Sequence, residues 1–178
     1  MRYYIHSIVI ICISLLSVSS WAQRGVFLEP PVFLTQVFTQ TPEPKTLWLT
    51  KETRPIAEAI AGHSLPLRAR YYQQGPRTAW VLEEIGKELP ITLGIVVENQ
   101  QIVTLRVLEY REVRGGEVRY DFFTQQFVGT QLTDQERQLS KNIDGIAGAT
   151  LSVRALKKTA RLALYLHQQA ITASAPQA

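Results

Sequence analysis

Residues 91–108 read ITLGIVVENQQIVTLRVL, which is two apolar-rich runs around a short polar stretch. The runs extend from Ile91 to Val97 and from Ile102 to Leu108. Because apolar runs of this length on either side of a polar turn are typical of paired strands, the pattern predicts a β-hairpin. The second run alternates between two faces, and we expect its purely apolar face to point into the core. That face consists of Val103, Leu105 and Val107.

A helix and two further strands are predicted before this hairpin. Residues 50–62, TKETRPIAEAIAG, predict a helix that Thr53 caps and that Gly62 ends, with a proline in its first turn. Strands are expected at residues 66–73 and 78–85, joined by a Gln-Gly-Pro turn. The sheet should therefore contain more strands than the hairpin alone.

Two helices are predicted after the hairpin. Residues 133–141 predict a short helix opened by Thr133 or Asp134. Residues 152–169 predict a long helix, because apolar side chains recur there at helical spacing. Strands grouped in one part of the chain and a long helix at its end predict an α+β fold, with a small antiparallel sheet and helices.

A glycine-rich turn, DGIAGAT at residues 144–150, comes directly before the long helical pattern. Gly145 and Gly148 can adopt positive φ and leave room for a bulky group, and Ala149 adds little side-chain volume. We therefore expect the hydroxyl of Thr150 to be exposed close to a helix N-terminus. Unpaired N–H groups and the helix dipole favour an anion at such a position by about 0.3–1 kcal/mol. Without further context, the same string is also compatible with a simple helix entry.

The turn resembles the flavinylation motif of the FMN-binding domain family, whose members include flavinylated components of the sodium-translocating NADH:quinone reductase and of the Rnf electron-transport complex. In that family the last threonine of Asp-Gly-x-Ser/Thr-Gly-Ala-Thr carries FMN through a phosphoester. Ala147 stands where the family has Ser or Thr. The matching positions are Asp144, Gly145, Gly148, Ala149 and Thr150.

This resemblance implies a covalent FMN on Thr150 and a fold in which the C-terminal helix follows the flavinylation turn. It also implies a separate Mg²⁺-dependent flavin transferase that uses FAD as the donor. Ser152 is predicted to be the N-cap of the helix. Asp144 is predicted either to brace the turn through an Asx-type bond or to help the transferase hold a metal near the phosphate.

The wider resemblance covers residues 60–168. A hydrophobic strand, a Glu-containing segment and the aromatic-Gln-Phe-x-Gly stretch in residues 121–129, DFFTQQFVG, precede the motif in the family's order. Glu112 is the predicted cofactor-site glutamate in this alignment, and Glu109 takes its place if the alignment shifts. Aromatic side chains are candidates to contact an isoalloxazine ring. They are Tyr71, Tyr72, Trp80, Tyr110, Tyr120, Phe122 and Phe123.

The first 22 residues, MRYYIHSIVIICISLLSVSSWA, predict a secretory signal peptide. An apolar centre follows the single arginine, and small residues precede a cleavage site after Ala22, so we expect a periplasmic protein. The alternative is an uncleaved membrane anchor, since about 20 residues suffice to span a bilayer. Cys12 is the only cysteine of the chain. Cleavage would therefore leave a mature protein without disulfide or thiolate chemistry.

Residues 23–49 contain four prolines and predict an extended N-terminal segment. The FMN-binding domain is expected at residues 50–169 and a disordered tail at 170–178. His63 and His167 are the imidazoles of the mature chain. Neither lies in a zinc-ligand or hydrolytic pattern, so the sequence predicts no catalytic residue and no metal site.

The resemblance implies an exported flavoprotein that transfers electrons between redox partner proteins, which are soluble or membrane-bound. Nucleic acid is not an expected partner. The chain lacks a G-x-G-x-x-G string, which favours an electron-transfer component over a stand-alone NADH-dependent enzyme. Two alternatives stay open: a flavin-free periplasmic binding module, and a flavin-dependent reductase of a small substrate.

Overall fold

The computed structural model describes residues 25–133 and 137–174, and a single antiparallel sheet is its largest element. The strands are β1 Gly25–Val26, β2 Lys45–Trp48, β3 Arg68–Gln74, β4 Arg77–Ile85, β5 Pro90–Glu98 and β6 Gln101–Tyr110. The helices are α1 Pro30–Val37, α2 Arg54–Ala61, α3 Asp121–Thr124 and α4 Thr150–Ser174, and short 3₁₀ helices span Gly116–Arg119 and Gln125–Phe127. The strand order is β1-β6-β5-β4-β3-β2. The predicted α+β class is confirmed.

The predicted hairpin forms the centre of the sheet. Strands β5 and β6 pair from Ile91 opposite Tyr110 to Glu98 opposite Gln101. Asn99 and Gln100 form the turn with φ values of 50° and 65°. Positive φ at both central residues matches the right-handed twist of paired strands, so a two-residue connection suffices.

Two β-bulges change which side chains of β6 face the main core. The register shifts between Thr92 and Leu93 and between Val96 and Val97. Leu105 and Val107 are buried in the main core, as expected, but Val103 packs on the opposite face of the sheet. A bulge adds one unpaired residue, so the side chains beyond it exchange faces. Strict alternation from Val103 was therefore wrong.

The main core lies between the sheet and two helices, α2 and α4. Helix α2 starts after Thr53 and ends before Gly62, whose φ of 72° fits the predicted helix end. The predicted cap was wrong, because the Thr53 hydroxyl makes no hydrogen bond to the first turn and accepts the N–H of Thr50 instead. Helix α4 begins at Thr150, two residues before its predicted start, and continues to Ser174. Residues 170–174 are therefore helical, and the prediction of disorder there was wrong. The fully buried Ala170 shows that this last part still packs against the core.

A polar pair is buried where α4 crosses the sheet. Nδ1 of His167 lies 2.8 Å from the Thr78 hydroxyl oxygen, which also accepts a hydrogen bond from Nε1 of Trp80 at 2.9 Å. His167 is 1% exposed. Its burial lowers the pKa of the imidazole from 6.5 to about 4, because a buried cation loses its hydration. His167 is therefore a neutral packed imidazole at pH 7.

The opposite face of the sheet is covered by α1, which lies in the segment predicted to be extended. Residues 23–49 do supply the edge strands β1 and β2, but Pro30–Val37 are helical. Prolines fit the first turn of a helix, where no N–H partner is needed, so they open α1 instead of preventing it. Phe33 packs directly on β5 at Gly94. A Cβ added to Gly94 would lie only 2.8 Å from the Phe33 ring, so the absence of a side chain there allows this contact.

The segment after the 3₁₀ helices is not the predicted helix. Leu132 forms an antiparallel bridge with Leu139, and the Thr133 hydroxyl accepts a hydrogen bond from the Gln138 N–H at 3.0 Å. Such side-chain bonds to the backbone compete with helix formation. Residues 134–136 lie outside the described residues, so only the part at 137–141 is corrected.

The predicted signal peptide at residues 1–22 also lies outside the described residues, as do residues 175–178 of the predicted tail. Across residues 25–133 and 137–174, no helix is both long enough and apolar enough to cross a membrane.

Candidate functional site

Thr150 lies at the end of an open turn, as the sequence predicts. The N–H of Ala149 donates to the carbonyl oxygen of Ile146 at 3.0 Å and closes the turn. Gly148 has a φ of 80° at the third position, where a type II turn requires positive φ. A Cβ added to Gly145 or Gly148 would meet no atom within 4 Å. The turn therefore leaves space for a large substituent beside the exposed Thr150.

The turn is fixed to the core by Ala149, which is buried. Its carbonyl oxygen accepts the N–H of Val153 at 2.9 Å, which is the first hydrogen bond of α4. The N–H groups of the first helical turn, beginning at Thr150, lack carbonyl partners within the helix. The Thr150 hydroxyl is therefore placed at the positive end of a 25-residue helix.

Ser152 is not the N-cap, so this prediction was wrong. It is the third residue of α4, its side chain is buried, and its hydroxyl lies 2.8 Å from the Tyr110 phenol oxygen. The Tyr110 O–H donates to the carbonyl oxygen of Arg114, so Ser152 is the donor to Tyr110. Burial raises the pKa of the Tyr110 phenol, which therefore keeps its proton at neutral pH. Whether Ser152 also contacts a cofactor stays a prediction.

Gly115 lies in the loop after β6 and allows this loop to pack closely against the turn. It has a φ of 84°, and an added Cβ would lie 2.9 Å from the Ser152 hydroxyl oxygen and 3.2 Å from the Ala149 Cβ. The sequence reasoning missed Tyr110 and Gly115 as positioning residues. The only local signal is the Gly-Gly pair at residues 115–116, since the contacts join positions far apart in the chain.

Asp144 is exposed, and a hydrogen bond from its backbone N–H fixes its position. Its N–H donates to Oε1 of Gln126 at 2.8 Å, and its carboxylate accepts a weak hydrogen bond from Asn142 Nδ2 at 3.4 Å. This geometry does not fit the predicted Asx-type bond and leaves the carboxylate facing solvent. Gln126, in the aromatic-Gln-Phe-x-Gly stretch, joins that stretch directly to the turn and was not predicted as a site residue.

Glu112 holds the loop between β4 and β5. Its buried Oε1 accepts the N–H groups of Lys87, Glu88 and Leu89 at 2.5, 2.6 and 2.9 Å. Burial alone raises the pKa of this carboxyl, but the backbone hydrogen bonds outweigh it and the pKa lies below its ordinary value of 4.5. The contact of Glu112 with a cofactor stays a prediction. Glu109, the alternative, forms an ion pair with Arg111.

Glu112→Gln is expected to lower the free energy of unfolding by about 1–2 kcal/mol, because charge-assisted hydrogen bonds become neutral ones. Urea unfolding at pH 7 measures this loss, and Glu117→Gln, at an exposed position, is the matched control. A carboxyl with a depressed pKa stabilises the fold above its unfolded pKa and loses this contribution as the pH falls through its folded pKa. The wild type should therefore lose this contribution below about pH 4.5, whereas Glu112→Gln should have none to lose. Equal stabilities at pH 7 would contradict the role of Glu112.

Most of the candidate aromatic side chains are core residues. Tyr71 stacks on Trp80 with ring centroids 4.9 Å apart, and both are buried, as are Tyr110 and Phe123. Tyr120 and Phe122 are different, since they are 47% and 65% exposed and stack at 6.2 Å. Among the candidates, these two offer exposed rings to a flat ligand.

The two histidines of the described residues, His63 and His167, have different partners. Nε2 of His63 lies 3.2 Å from a Glu84 oxygen, and Lys158 binds the other oxygen of this carboxylate at 3.0 Å. Ser64 contributes only its carbonyl oxygen, 3.0 Å from Nδ1 of His63, so no nucleophile is present in this group. Within the described residues, no three His, Cys, Asp or Glu side chains lie together so that they could hold a metal ion.

The comparison with protein families identifies the region that contains this site. The family model described as the FMN-binding domain matches residues 86–165. No curated protein matches the chain. The matched region includes the central hairpin, the loop that Glu112 holds, Gln126, the turn and most of α4. Residues 86–165 of this chain are therefore similar to the FMN-binding domain family.

Proposed function

We propose that this protein is an exported flavoprotein that carries FMN through a phosphoester on Thr150 and transfers electrons between redox partner proteins. The family match supports flavin binding in residues 86–165. The observation that carries the finer assignment is the exposed hydroxyl of Thr150, on an open turn that is fixed to the core at the preceding residue, Ala149.

The residues around Thr150 fit a phosphate ester. Gly145 and Gly148 leave open space beside the hydroxyl. The unpaired N–H groups at the start of α4 favour the negative charge of the phosphate. Ser152, hydrogen-bonded to Tyr110 beneath the turn, fixes its position. The N–H groups at the start of α4 would hold the phosphate, and the exposed rings of two aromatic side chains would offer a flat apolar surface. They are Tyr120 and Phe122. When bound, the flavin supplies the redox chemistry.

Attachment would require a flavin transferase, as the resemblance to the flavinylation motif implies. The Thr150 oxygen forms a bond to the FMN phosphorus of FAD, the bond between the two phosphates breaks, and AMP leaves. The proton of the hydroxyl passes to a base of the transferase. The exposed Asp144 is placed where it can approach the transferase and its Mg²⁺ ion.

Export is inferred from residues 1–22, and a covalent link is consistent with it. A cofactor held only by noncovalent contacts dissociates where its free concentration is low. A phosphoester keeps the flavin on the protein regardless of the concentration outside the cytoplasm. The same link suits a carrier, which must retain its cofactor while it meets different partners.

The test of this function is the absorbance of the protein after co-production with a flavin transferase. We expect a yellow protein whose flavin stays with the polypeptide after precipitation in acid. A colourless protein would favour the flavin-free binding module. Rapid exchange of electrons with dyes, without steady turnover of a small substrate, would support a carrier, whereas turnover would favour the reductase.

A further inference from the structure

A groove with many cations lies beside α4, on the side where the segment at residues 138–143 runs past the helix. Its cavity volume is about 610 Å³. We call it the basic groove, and its cationic lining consists of Lys141, Arg154, Lys157, Lys158 and Arg161. Its apolar lining consists of Ile60, Leu139 and Ile143.

The positive charge of the basic groove is poorly compensated. Among its lining residues in the described part of the chain, none is acidic. Lys158 is paired with Glu84 at 3.0 Å, and Nε of Arg161 donates to the Arg137 carbonyl oxygen at 2.8 Å. Arg154 and Lys157 have no hydrogen-bond or ion-pair partner among the described residues. A carbonyl partner does not neutralise a cation, so within the described residues Lys158 is the one groove cation that a carboxylate neutralises.

The groove lies next to Thr150 along α4. Arg154 follows Thr150 by four residues and therefore lies one helical turn, about 5.4 Å, further along the same face of α4. Lys157, Lys158 and Arg161 extend the cationic face away from Thr150. On the other wall, residues 138–143 lead directly into Asp144.

We propose that the basic groove binds a second, phosphate-bearing ligand of nucleotide size, in addition to the flavin. Its volume lies within the roughly 300–1,000 Å³ of small-molecule sites. Arg154 and Lys157 are available for a phosphate, since guanidinium and ammonium groups bind phosphate oxygens by charge-assisted hydrogen bonds. Leu139, which is only partly buried, gives the groove an apolar floor for a ring system.

Calorimetric titration of the unmodified protein with ADP, pyrophosphate and adenosine tests this site. We expect ADP to bind more tightly than pyrophosphate, because its ring also contacts the apolar floor, and adenosine to show no binding at the same concentrations. The double variant Arg154→Ala/Lys157→Ala should weaken ADP binding about tenfold. The matched control is Arg68→Ala/Arg70→Ala, which removes the same charge from exposed positions on β3 and should leave ADP binding unchanged.

Three results would overturn the proposal. Equal weakening of ADP binding by both double variants would show that the affinity for ADP depends only on the net charge of the protein. Binding of a hexaglutamate peptide that depends on Arg154 and Lys157, without binding of ADP, would assign the groove to an acidic protein segment. Loss of ADP binding in the flavin-loaded protein alone would show that the groove belongs to the flavin. Because the first titration uses unmodified protein, a failure of ADP binding there is distinguishable from a failure of FMN attachment to Thr150.

Discussion

Thr150→Ala is expected to remove all covalent flavin while the fold stays intact. The substitution removes the only atom of this side chain that can form the phosphoester. Thr150 is exposed, and surface substitutions of this kind change the free energy of unfolding by no more than about 0.5 kcal/mol. Flavin fluorescence of the denatured polypeptide measures attachment, and urea unfolding measures stability.

Two variants make this result specific. Thr150→Ser keeps a hydroxyl at the same position and should retain covalent flavin. Thr172→Ala removes an exposed threonine of the same helix, far from the turn, and should retain it fully. Normal covalent flavin in Thr150→Ala would move the attachment site elsewhere. Unfolding of that variant at much lower urea would instead assign Thr150 a structural role.

The stability of the protein is expected to fall by about 3 kcal/mol as the pH is lowered from 6.5 to 4 because of His167. Burial depresses the pKa of this imidazole to about 4 in the folded state, whereas it titrates near 6.5 when unfolded. Between these values the unfolded chain binds more protons, so stability is full above pH 6.5 and is lost towards pH 4. Protonation would also place an uncompensated charge beside Thr78 in the core.

Urea unfolding between pH 7 and pH 4.5 measures this dependence, in a range where the carboxyl groups contribute less. His167→Gln is the comparison, because an amide keeps a hydrogen-bonding group near Thr78 but does not titrate. The variant should be less stable than the wild type at pH 7 and should lose less stability over this range. The same loss in both proteins would contradict the assignment to His167.

The sequence predicts correctly those elements whose apolar spacing and end signals lie within the element itself. The hairpin and α2 are such elements, since their apolar spacing and the Gly62 signal at the end of α2 agree with the surrounding structure. Helix α1 was missed because prolines usually indicate an extended chain. Here the apolar side chains that follow the prolines pack on the sheet, and this packing stabilises the helix. The face of Val103 was wrong because a bulge depends on the partner strand and leaves no signal in β6 itself.

The site residues also fall into those that a local pattern predicts and those that depend on distant contacts. The open turn and the exposed Thr150 followed from glycines within the turn and from the resemblance to the flavinylation motif. Ser152 was wrongly predicted as a cap because its partner, Tyr110, lies 42 residues earlier in the chain. The loop-holding role of Glu112 also depends on N–H groups more than 20 residues away. Single-sequence periodicity contains no information about such pairs.

Intact-mass analysis with peptide mapping tests the attachment of FMN to Thr150 most directly. The protein would be produced with a flavin transferase and recovered from the periplasm, so that the same spectrum also shows whether residues 1–22 have been removed. We predict a gain of one FMN less one water, located on the peptide that contains Thr150. An unmodified mass, or a flavin located on any other residue, would contradict this assignment.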